Sequence, residues 1–339
     1  MPPIRAKTGY FMSFFVFLHF ENVTTGTMKR ITLIFLLAAA SVAANAQISE
    51  LVRQGQNTQL LIGGEPYIIL GGELANSSAS SGRYMDSRNT WEYLKESGLN
   101  TVLAPVYWEL IEPQQGRYDF STVDYLLKSA RANDLKLVLL WFGTWKNSMS
   151  CYVPSWVKRG FGEEFDLARN SDGNTPEIMT AFSESNVRAD SKAFATLMRY
   201  LKKADGAEGT VIMVQVENEI GMLGDARDHS RLAQNAYESP VPYEVIYMLE
   251  SGKANDYIHN IWKSAGGKKD GSWKEVFGEG LEADEIFMAY WYARYTERVA
   301  FAGKEEYDIP MFVNTALNSR GRKAGDYPSA GPLAHLMPI

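Results

Sequence analysis

The sequence is short of the residues on which disulfide, metal and redox chemistry depend. Its 339 residues contain one cysteine, Cys151, and four histidines. A single cysteine excludes an intrachain disulfide, and without a neighbouring histidine it favours an inert loop residue over a nucleophile. The histidines show no metal-ligand spacing, so the sequence predicts no metal site and no cofactor. The chain also contains no phosphate loop and no dinucleotide fingerprint.

A strong excess of charge of one sign is also missing. The formal net charge is −6, with acidic and basic residues interspersed, so neither nucleic acid nor an anionic membrane is predicted as a partner. Apolar residues make up 45% and aromatic residues 12% of the chain, which excludes a disordered protein. The length is enough for one large barrel or two ordinary domains. Nothing in the sequence predicts an oligomeric state.

Long hydrophobic runs are missing as well. Residues 28–46, MKRITLIFLLAAASVAANA, combine a basic start, an apolar stretch and a small-residue ending. This pattern predicts a secretory signal peptide cleaved before Gln47, and hence a periplasmic or extracellular protein. The apolar part is shorter than the span of about 20 residues that crosses a membrane, so no membrane association is expected after cleavage. We expect residues 1–27 to be a misassigned extension of the gene start.

The most informative stretch is residues 211–221, VIMVQVENEIG, where an apolar run suited to a buried strand ends in Glu217, Asn218 and Glu219. In a barrel of parallel strands, the carboxyl ends of the strands form the catalytic face, so polar side chains clustered there indicate chemistry. Period-two alternation predicts that Glu219 and Glu217 lie on the same side of the strand. The alternative is that both are solvated charges in a loop.

The rest of the chain predicts a parallel α/β fold. From Pro66 onward, strand-like and helix-like segments alternate, as in βα units. Strands are predicted at residues 67–70, continuing into Gly-Gly-Glu73, and at 101–108, 135–142, 211–216 and 310–316. Helices are predicted at residues 90–97, from 121, from 190 or 191, at 282–302 and at 332–337. Two long connections, 143–190 and 222–281, are expected to be functional, the second with one or two short helices.

The string VQVENEIG resembles the acid/base motif of family 35 glycoside hydrolases, the β-galactosidases, in which Gln-φ-Glu-Asn-Glu-φ-Gly closes the fourth strand. The resemblance implies that Glu219 is the general acid/base and that Asn218 is its substrate-binding neighbour. Ile220 stands where the family usually has Tyr. The implied fold is a (β/α)8 TIM barrel of the retaining glycosidase type, of which residues 47–339 would form a part with about five strands.

A second segment, residues 98–120, is similar to the family's stretch in which a strand ends in Trp-Asn, followed by Glu-Pro and Gly-x-Tyr-Asp-Phe. Trp108 and the Glu112-Pro113 pair match, whereas Glu109 replaces the usual Asn. The resemblance implies that Trp108 and Glu109 contact substrate, and packing beneath the loop is the alternative for Trp108. Pro105 stands near the position of a common substrate-contacting Tyr.

The segment after the third strand departs further from family 35 and has some family 42 character, as in a divergent branch. Trp145 and Asn147 are the predicted subsite residues of this segment. Glu73 follows two glycines at the first strand end, where the family's galactose pocket lies, and is the predicted acceptor for a sugar hydroxyl. Asn314, at the exit of the fifth strand, completes the predicted substrate-binding set.

The resemblance implies a retaining mechanism, in which Glu219 protonates the leaving oxygen and a second carboxylate attacks the anomeric carbon. In the family that second Glu ends strand seven, so we expect this sequence to be the amino-terminal part of a longer enzyme that lacks the nucleophile. The expected substrate is a terminal β-galactoside of an oligosaccharide or polysaccharide. One alternative is a non-catalytic carbohydrate-binding pseudoenzyme. Another is a barrel enzyme that uses Glu217 and Glu219 for proton transfer with a metal or cofactor.

Overall fold

The computed structural model describes residues 48–317, 321 and 323–337. A small antiparallel sheet comes first, with strands β1, β2 and β3 in that order. These strands are Ser49–Gln54, Asn57–Ile62 and Glu65–Pro66. The sequence pattern did not predict this sheet.

A five-stranded parallel sheet follows, and its strands lie side by side in chain order. They are β4 Gly71–Glu73, β5 Thr101–Tyr107, β6 Lys136–Lys146, β7 Val211–Asn218 and β8 Met311–Phe312. Parallel neighbours connected through helices are the repeating unit of α/β barrels. The carboxyl ends of all five strands therefore meet along one edge of the sheet.

Helices lie between and after these strands. They are α1 Gly82–Ser87, α2 Thr90–Glu96, α3 Trp108–Ile111, α4 Ser121–Ala132, α5 Ser155–Arg159, α6 Glu184–Asp205, α7 Arg231–Glu238, α8 Tyr243–Glu250, α9 Asp256–Ser264, α10 Trp273–Phe277, α11 Leu281–Glu306 and α12 Gly331–Ala334. A short 3-10 turn, Ser78–Ser80, precedes α1. The long helices α6 and α11 are the crossovers on either side of β7.

The core lies around the three central strands. Strands β5, β6 and β7 are buried along almost their whole length, which agrees with their continuous apolar sequences. Helices α6 and α11 pack together against this sheet. Gly303 permits the close approach, because a Cβ there would lie 2.3 Å from Cε1 of Phe194.

Three predicted strands have different bounds in the structure. The apolar run at residues 67–70 precedes β4 instead of forming it, and Ile68 is 78% exposed. The side chain of Asn100 explains this, since it accepts from the N–H of Leu70 and donates to the C=O of Ile68, both at 2.9 Å. Strand β6 continues beyond Phe142 to Lys146, and β8 has only two residues.

Two helical predictions are also corrected. Helix α6 begins at Glu184, so Asp190 lies inside the helix and does not open it. The second long connection contains four helices, α7 to α10, where one or two were expected. Asp190 is common at helix starts as a residue type, which explains the misplaced boundary.

The predicted signal peptide at residues 28–46 and the predicted extension at residues 1–27 lie outside the described residues. Within the described part of the chain, no helix is both long and apolar enough to cross a membrane.

Candidate active site

The end of strand β7 departs from regular strand geometry. Its pairing with β6 shifts register between Trp141 and Lys146, which leaves a bulge in β6. Glu217 and Glu219 both have positive φ angles, 60° and 47°, in a region that costs non-glycine residues about 1 to 3 kcal/mol each. The alternation predicted for Glu217 and Glu219 therefore does not hold, and the two side chains lie in different surroundings.

Glu217 is buried and binds the backbone of β6. Its Oε1 accepts from the N–H of Thr144 at 3.2 Å, and its Oε2 accepts from the N–H of Trp145 at 2.7 Å. Glu217 is only 1% exposed. Because the bulge removes these two N–H groups from the strand pairing, the Glu217 carboxylate supplies the acceptors that buried donors require.

Asp190 of α6 lies beside Glu217. Its carboxylate accepts from Nε1 of Trp141 at 3.0 Å and from Oγ1 of Thr144 at 2.7 Å. The hydroxyl of Tyr295, on α11, lies 2.8 Å from the same Oγ1. We call Glu217, Asp190, Thr144 and Tyr295 the buried acid cluster. Its members come from four elements, so the cluster connects the end of β7 to β6 and to both crossover helices.

Gly143 provides the space that this cluster occupies. A Cβ at residue 143 would lie 2.6 Å from Oε1 of Glu217 and 2.8 Å from Oδ1 of Asp190. Real Cβ atoms essentially never come so close to other heavy atoms. Any side chain at Gly143 would therefore force one of the two carboxylates to move.

Burial and Asp190 shift the pKa of Glu217. Burial, followed by the negative charge of Asp190 and a side-chain hydrogen bond to it, raises the pKa of Glu217 well above its usual range. Two neighbouring carboxylates disfavour each other's ionisation in a dry interior, so the direction of this shift favours the protonated form of Glu217. Burial and the charges of both carboxylates also raise the pKa of the Tyr295 hydroxyl well above its usual range, which keeps that hydroxyl a donor.

Asn218 is held by amide side chains at neighbouring strand ends. Its Nδ2 donates to Oδ1 of Asn147 at 3.1 Å, and its Oδ1 accepts from Nδ2 of Asn314 at 3.0 Å. Nε2 of Gln215 donates to the same Oδ1 at 3.1 Å. The structure thus brings together three residues predicted to bind substrate, which follow β6, β7 and β8.

Glu219 is partly exposed beside Asn218. Its backbone N–H donates to Oδ1 of Asn314 at 2.9 Å, and its C=O accepts from Oγ of Ser148 at 2.8 Å. Burial lowers the pKa of Lys146, while the negative charges of Glu219 and Glu73 raise it. The ammonium of Lys146 therefore lies in the field of both carboxylates. We call Asn218, Glu219, Asn147, Asn314 and Lys146 the open strand end.

The two tryptophans that were predicted to contact substrate pack in the core of the structure. Trp108 and Trp145 are both fully buried. Nε1 of Trp108 donates to Glu112 at 3.0 Å, and its ring packs edge-on against Trp156. The ring of Trp145 packs edge-on against Tyr295. The structure gives both rings a role in core packing, because neither presents a free face for the expected sugar contact.

Glu109 is not joined to the open strand end by the contacts that it makes. Its N–H donates to the C=O of Tyr152 at 3.0 Å. Burial raises the pKa of its carboxyl, and the charge of Lys158 opposes that effect. Glu109, on α3, thus contacts the loop that follows β6, and its predicted substrate contact stays a prediction.

Sequence reasoning missed Asp190, Thr144 and Tyr295. Each of them lies in a segment that looks like ordinary helix or strand, and Thr144 and Tyr295 are far apart in the chain. The only local signal was the glycine at residue 143 inside an otherwise bulky strand, which indicates close approach by other groups. Among the described residues, no group of three or more His, Cys, Asp and Glu is placed to hold a metal ion.

Comparison with known sequences decides the family. The sequence profile described as Glycosyl hydrolases family 35 matches residues 59–267. The chain belongs to glycosyl hydrolase family 35. A β-galactosidase from Xanthomonas manihotis is 32% identical over 213 residues, which are 60% of this chain and 32% of that protein. This chain therefore spans about a third of the length of that family 35 relative.

Solved structures share the fold. A GH42 β-galactosidase from G. stearothermophilus aligns with a TM-score of 0.50 and 19% identity, over 74% of this family 35 chain and 36% of its own. A β-galactosidase from Bacillus circulans sp. alkalophilus gives 0.49 and 14%, over 73% and 36%. At 19% identity, the likeness to the GH42 β-galactosidase shows a shared fold alone. The five parallel strands are part of a (β/α)8 barrel.

Proposed function

We propose that this chain is the amino-terminal part of the catalytic barrel of an exported, retaining glycoside hydrolase that releases terminal β-galactosyl units. The observation that carries the proposal is the placement of Glu219. It is a partly exposed carboxyl group at a strand end, fixed through its backbone by Asn314 and Ser148, in a chain of family 35. Asn218 lies beside it, buried and bonded to Asn147 and Asn314, and its contact with a sugar hydroxyl is part of the proposal.

In the proposed first step, Glu219 is protonated and donates its proton to the glycosidic oxygen as the bond to the anomeric carbon breaks. A second carboxylate forms a bond to that carbon at the same time and gives a covalent glycosyl-enzyme intermediate. In the second step, ionised Glu219 takes a proton from water, and the oxygen of that water displaces the enzyme carboxylate. Glu219 thus ends each cycle protonated, as it began.

The second carboxylate is proposed to come from a part of the protein that follows the strands described here. Retaining enzymes hold their two carboxyl groups about 5 to 5.5 Å apart. Glu217 is unsuited to be the attacking group, because it is buried and both of its carboxyl oxygens accept backbone N–H groups of β6. Glu282 and Glu297 lie on α11 rather than at a strand end. The family 35 relative, three times longer than the matched region, has room for such a group.

The substrate and the cellular location are proposed on other grounds. The related protein from Xanthomonas manihotis is named a β-galactosidase, which supports a β-galactoside of an oligosaccharide or polysaccharide. Export is supported by the signal-peptide pattern at residues 28–46. Mass spectrometry of the exported protein tests the location: the expected amino terminus is Gln47, and an exported product that starts at Met1 would contradict it.

The experiment that tests the activity compares two substitutions in the full-length protein, using aryl β-galactosides with leaving groups of different basicity. Glu219→Gln should lower kcat/KM by ~10²- to 10⁴-fold for poor leaving groups, which need protonation, and little for activated ones. The matched control, Glu217→Gln, should lower kcat/KM modestly and equally for all leaving groups. The reverse pattern would exchange the two roles. A wild-type protein that binds galactosides without hydrolysing them would favour the non-catalytic alternative.

A further inference from the structure

We propose that Asp190 is a positioning residue for Glu219, acting through Thr144 and Glu217 to hold the backbone turn that presents the acid. The inference rests on the proposed acid/base role of Glu219 and adds the group that keeps it in place. Asp190 itself lies on helix α6, is fully buried and does not reach the open strand end. Its effect on catalysis would therefore be indirect.

The contacts form a short, continuous path. Oδ2 of Asp190 accepts from Oγ1 of Thr144 at 2.7 Å and from its N–H at 3.3 Å. The same N–H of Thr144 also reaches Oε1 of Glu217 at 3.2 Å. Glu217 is separated from Glu219 by Asn218 alone. A shift of Asp190 would therefore be transmitted to the turn through two hydrogen-bonded residues.

The turn needs such support because it is strained. Positive φ angles at Glu217 and Glu219 persist only where the surroundings determine them, since each costs about 1 to 3 kcal/mol. Asn314 and Ser148 hold the Glu219 end of the turn. The buried acid cluster holds the Glu217 end. If that end were released, the backbone would relax toward the extended region, and Glu219 would change its position.

Packing alone does not explain a carboxylate at this place in α6. Asp190 forms no ion pair among the described residues, although it is completely buried. Burying a charge without a counter-ion is unfavourable, and an apolar residue commonly serves stability as well or better. Asp190 instead provides hydrogen-bond acceptors that point in defined directions. It gathers donors from Trp141, Thr144 and Tyr295 around the bulge of β6.

The test measures leaving-group dependence in the full-length protein carrying Asp190→Asn. An amide at this site would turn an NH₂ group toward N–H and O–H donors, so the contact to Thr144 should be lost. We expect kcat/KM for poor leaving groups to fall at least ~10-fold more than for activated ones, because a displaced acid no longer delivers its proton. Asp205→Asn is the matched control.

That control makes the same substitution at the other end of the same helix. Asp205 is buried as well, and accepts from the N–H groups of Thr210 and Val211 at the start of β7. Its loss should lower thermal stability and leave the leaving-group dependence unchanged. If Asp190→Asn also lowers the rates for all leaving groups equally, Asp190 serves stability only and the proposal is overturned.

Two further variants decide the matter if Asp190→Asn does not fold. Thr144→Val removes the hydroxyl that contacts Asp190 at nearly constant volume, and Thr144→Ser keeps it. The proposal expects the altered leaving-group dependence in Thr144→Val and not in Thr144→Ser. Equal behaviour of these two variants would contradict it.

A readout without turnover separates this inference from the proposed function. The N–H of Glu219 donates to Asn314, so its hydrogen exchange reports whether the turn is held. Exchange at Glu219 should be faster in Asp190→Asn or Thr144→Val than in the wild type, even if the protein hydrolyses no galactoside. Unchanged exchange would overturn the positioning role, whereas inactive wild-type protein with faster exchange in the variants would overturn only the proposed function.

Discussion

Glu217 and Glu219 are two residues apart in the chain, yet they lie in opposite surroundings. Glu217 belongs to the buried acid cluster, where it is 1% exposed and where burial and Asp190 raise the pKa of its carboxyl group. Glu219 belongs to the open strand end, where amide side chains and Ser148 fix its backbone and leave its carboxyl group partly exposed. The difference shows how one short motif can supply both an anchor and a reactive group.

The buried acid cluster and the open strand end also differ in the contacts that hold them in place. The buried acid cluster is closed within the described chain, since its donors and acceptors come from β6, β7, α6 and α11. The open strand end lies along the edge where strand ends meet, and the proposed mechanism requires a second carboxylate there. Each of the following predictions tests one side of this comparison against the other.

The largest expected effect concerns the open strand end. The 339-residue chain made alone should hydrolyse nitrophenyl β-galactoside no faster than a control without enzyme, because the proposed nucleophile is missing. The measurement is turnover by the purified chain, with the full-length protein as positive control. Turnover that survives purification and disappears in Glu219→Gln would show that the nucleophile lies within this sequence.

Substitutions in the buried acid cluster should change the stability of the protein. Glu217→Ala should lower the free energy of unfolding by about 1 to 3 kcal/mol, because the buried N–H of Trp145 loses its acceptor while the N–H of Thr144 keeps Asp190. Glu217→Gln should lower it by less, since the amide oxygen still accepts from the N–H of Trp145 and the N–H of Thr144 keeps its second acceptor, Asp190. Denaturant unfolding of the 339-residue chain measures both. Equal losses in the two variants would mean that the contacts to Thr144 and Trp145 contribute little.

The smallest effect is a dependence of stability on pH. Because the pKa of Glu217 is raised in the folded protein, the unfolded chain releases this proton first, and rising pH favours unfolding. The groups that face Glu217 are Asp190 on α6 and Tyr295 on α11. The free energy of unfolding should fall by up to about 1.4 kcal/mol per pH unit above the ordinary Glu range.

Comparing wild type with Glu217→Gln isolates this contribution from all other titrating groups. The free energy of unfolding of the wild type, relative to that of Glu217→Gln, should be highest at low pH, where the wild type keeps its full stability. This relative stability should fall as pH rises toward the raised pKa of Glu217. Denaturant unfolding at a series of pH values measures it. Parallel curves for the two proteins would mean that the pKa of Glu217 is not raised in the folded protein.

The sequence predicted the parts of the fold that depend on local pattern. The apolar runs of β5, β6 and β7 correctly indicated buried strands, and helix α11 was placed within a few residues of its bounds. The polar end of β7 was also placed correctly. These elements were predictable because burial on both faces requires continuous apolar sequence, and such runs can be recognised without knowing their neighbours.

The parts that depend on distant contacts were not predictable. Strand alternation gave no warning that Glu217 turns away from Glu219, because the positive φ angles follow from the bulge in β6 and the contacts around it. Asp190 looked like a helix start, since Asp is a common N-cap residue. Likewise, the run at residues 67–70 looked like a strand, and only the side chain of Asn100 makes it a loop.

The measurement that tests the division of roles most directly is azide rescue in the full-length protein. In Glu219→Gln, the glycosyl-enzyme intermediate lacks its general base, and a small anion such as azide attacks without one. Added azide should therefore restore turnover of an activated aryl β-galactoside and yield a β-galactosyl azide, whereas Glu217→Gln should give no rescue and no azide product. Formation of the β-galactosyl azide by Glu217→Gln, with none formed by Glu219→Gln, would contradict this assignment of the anchor and the acid.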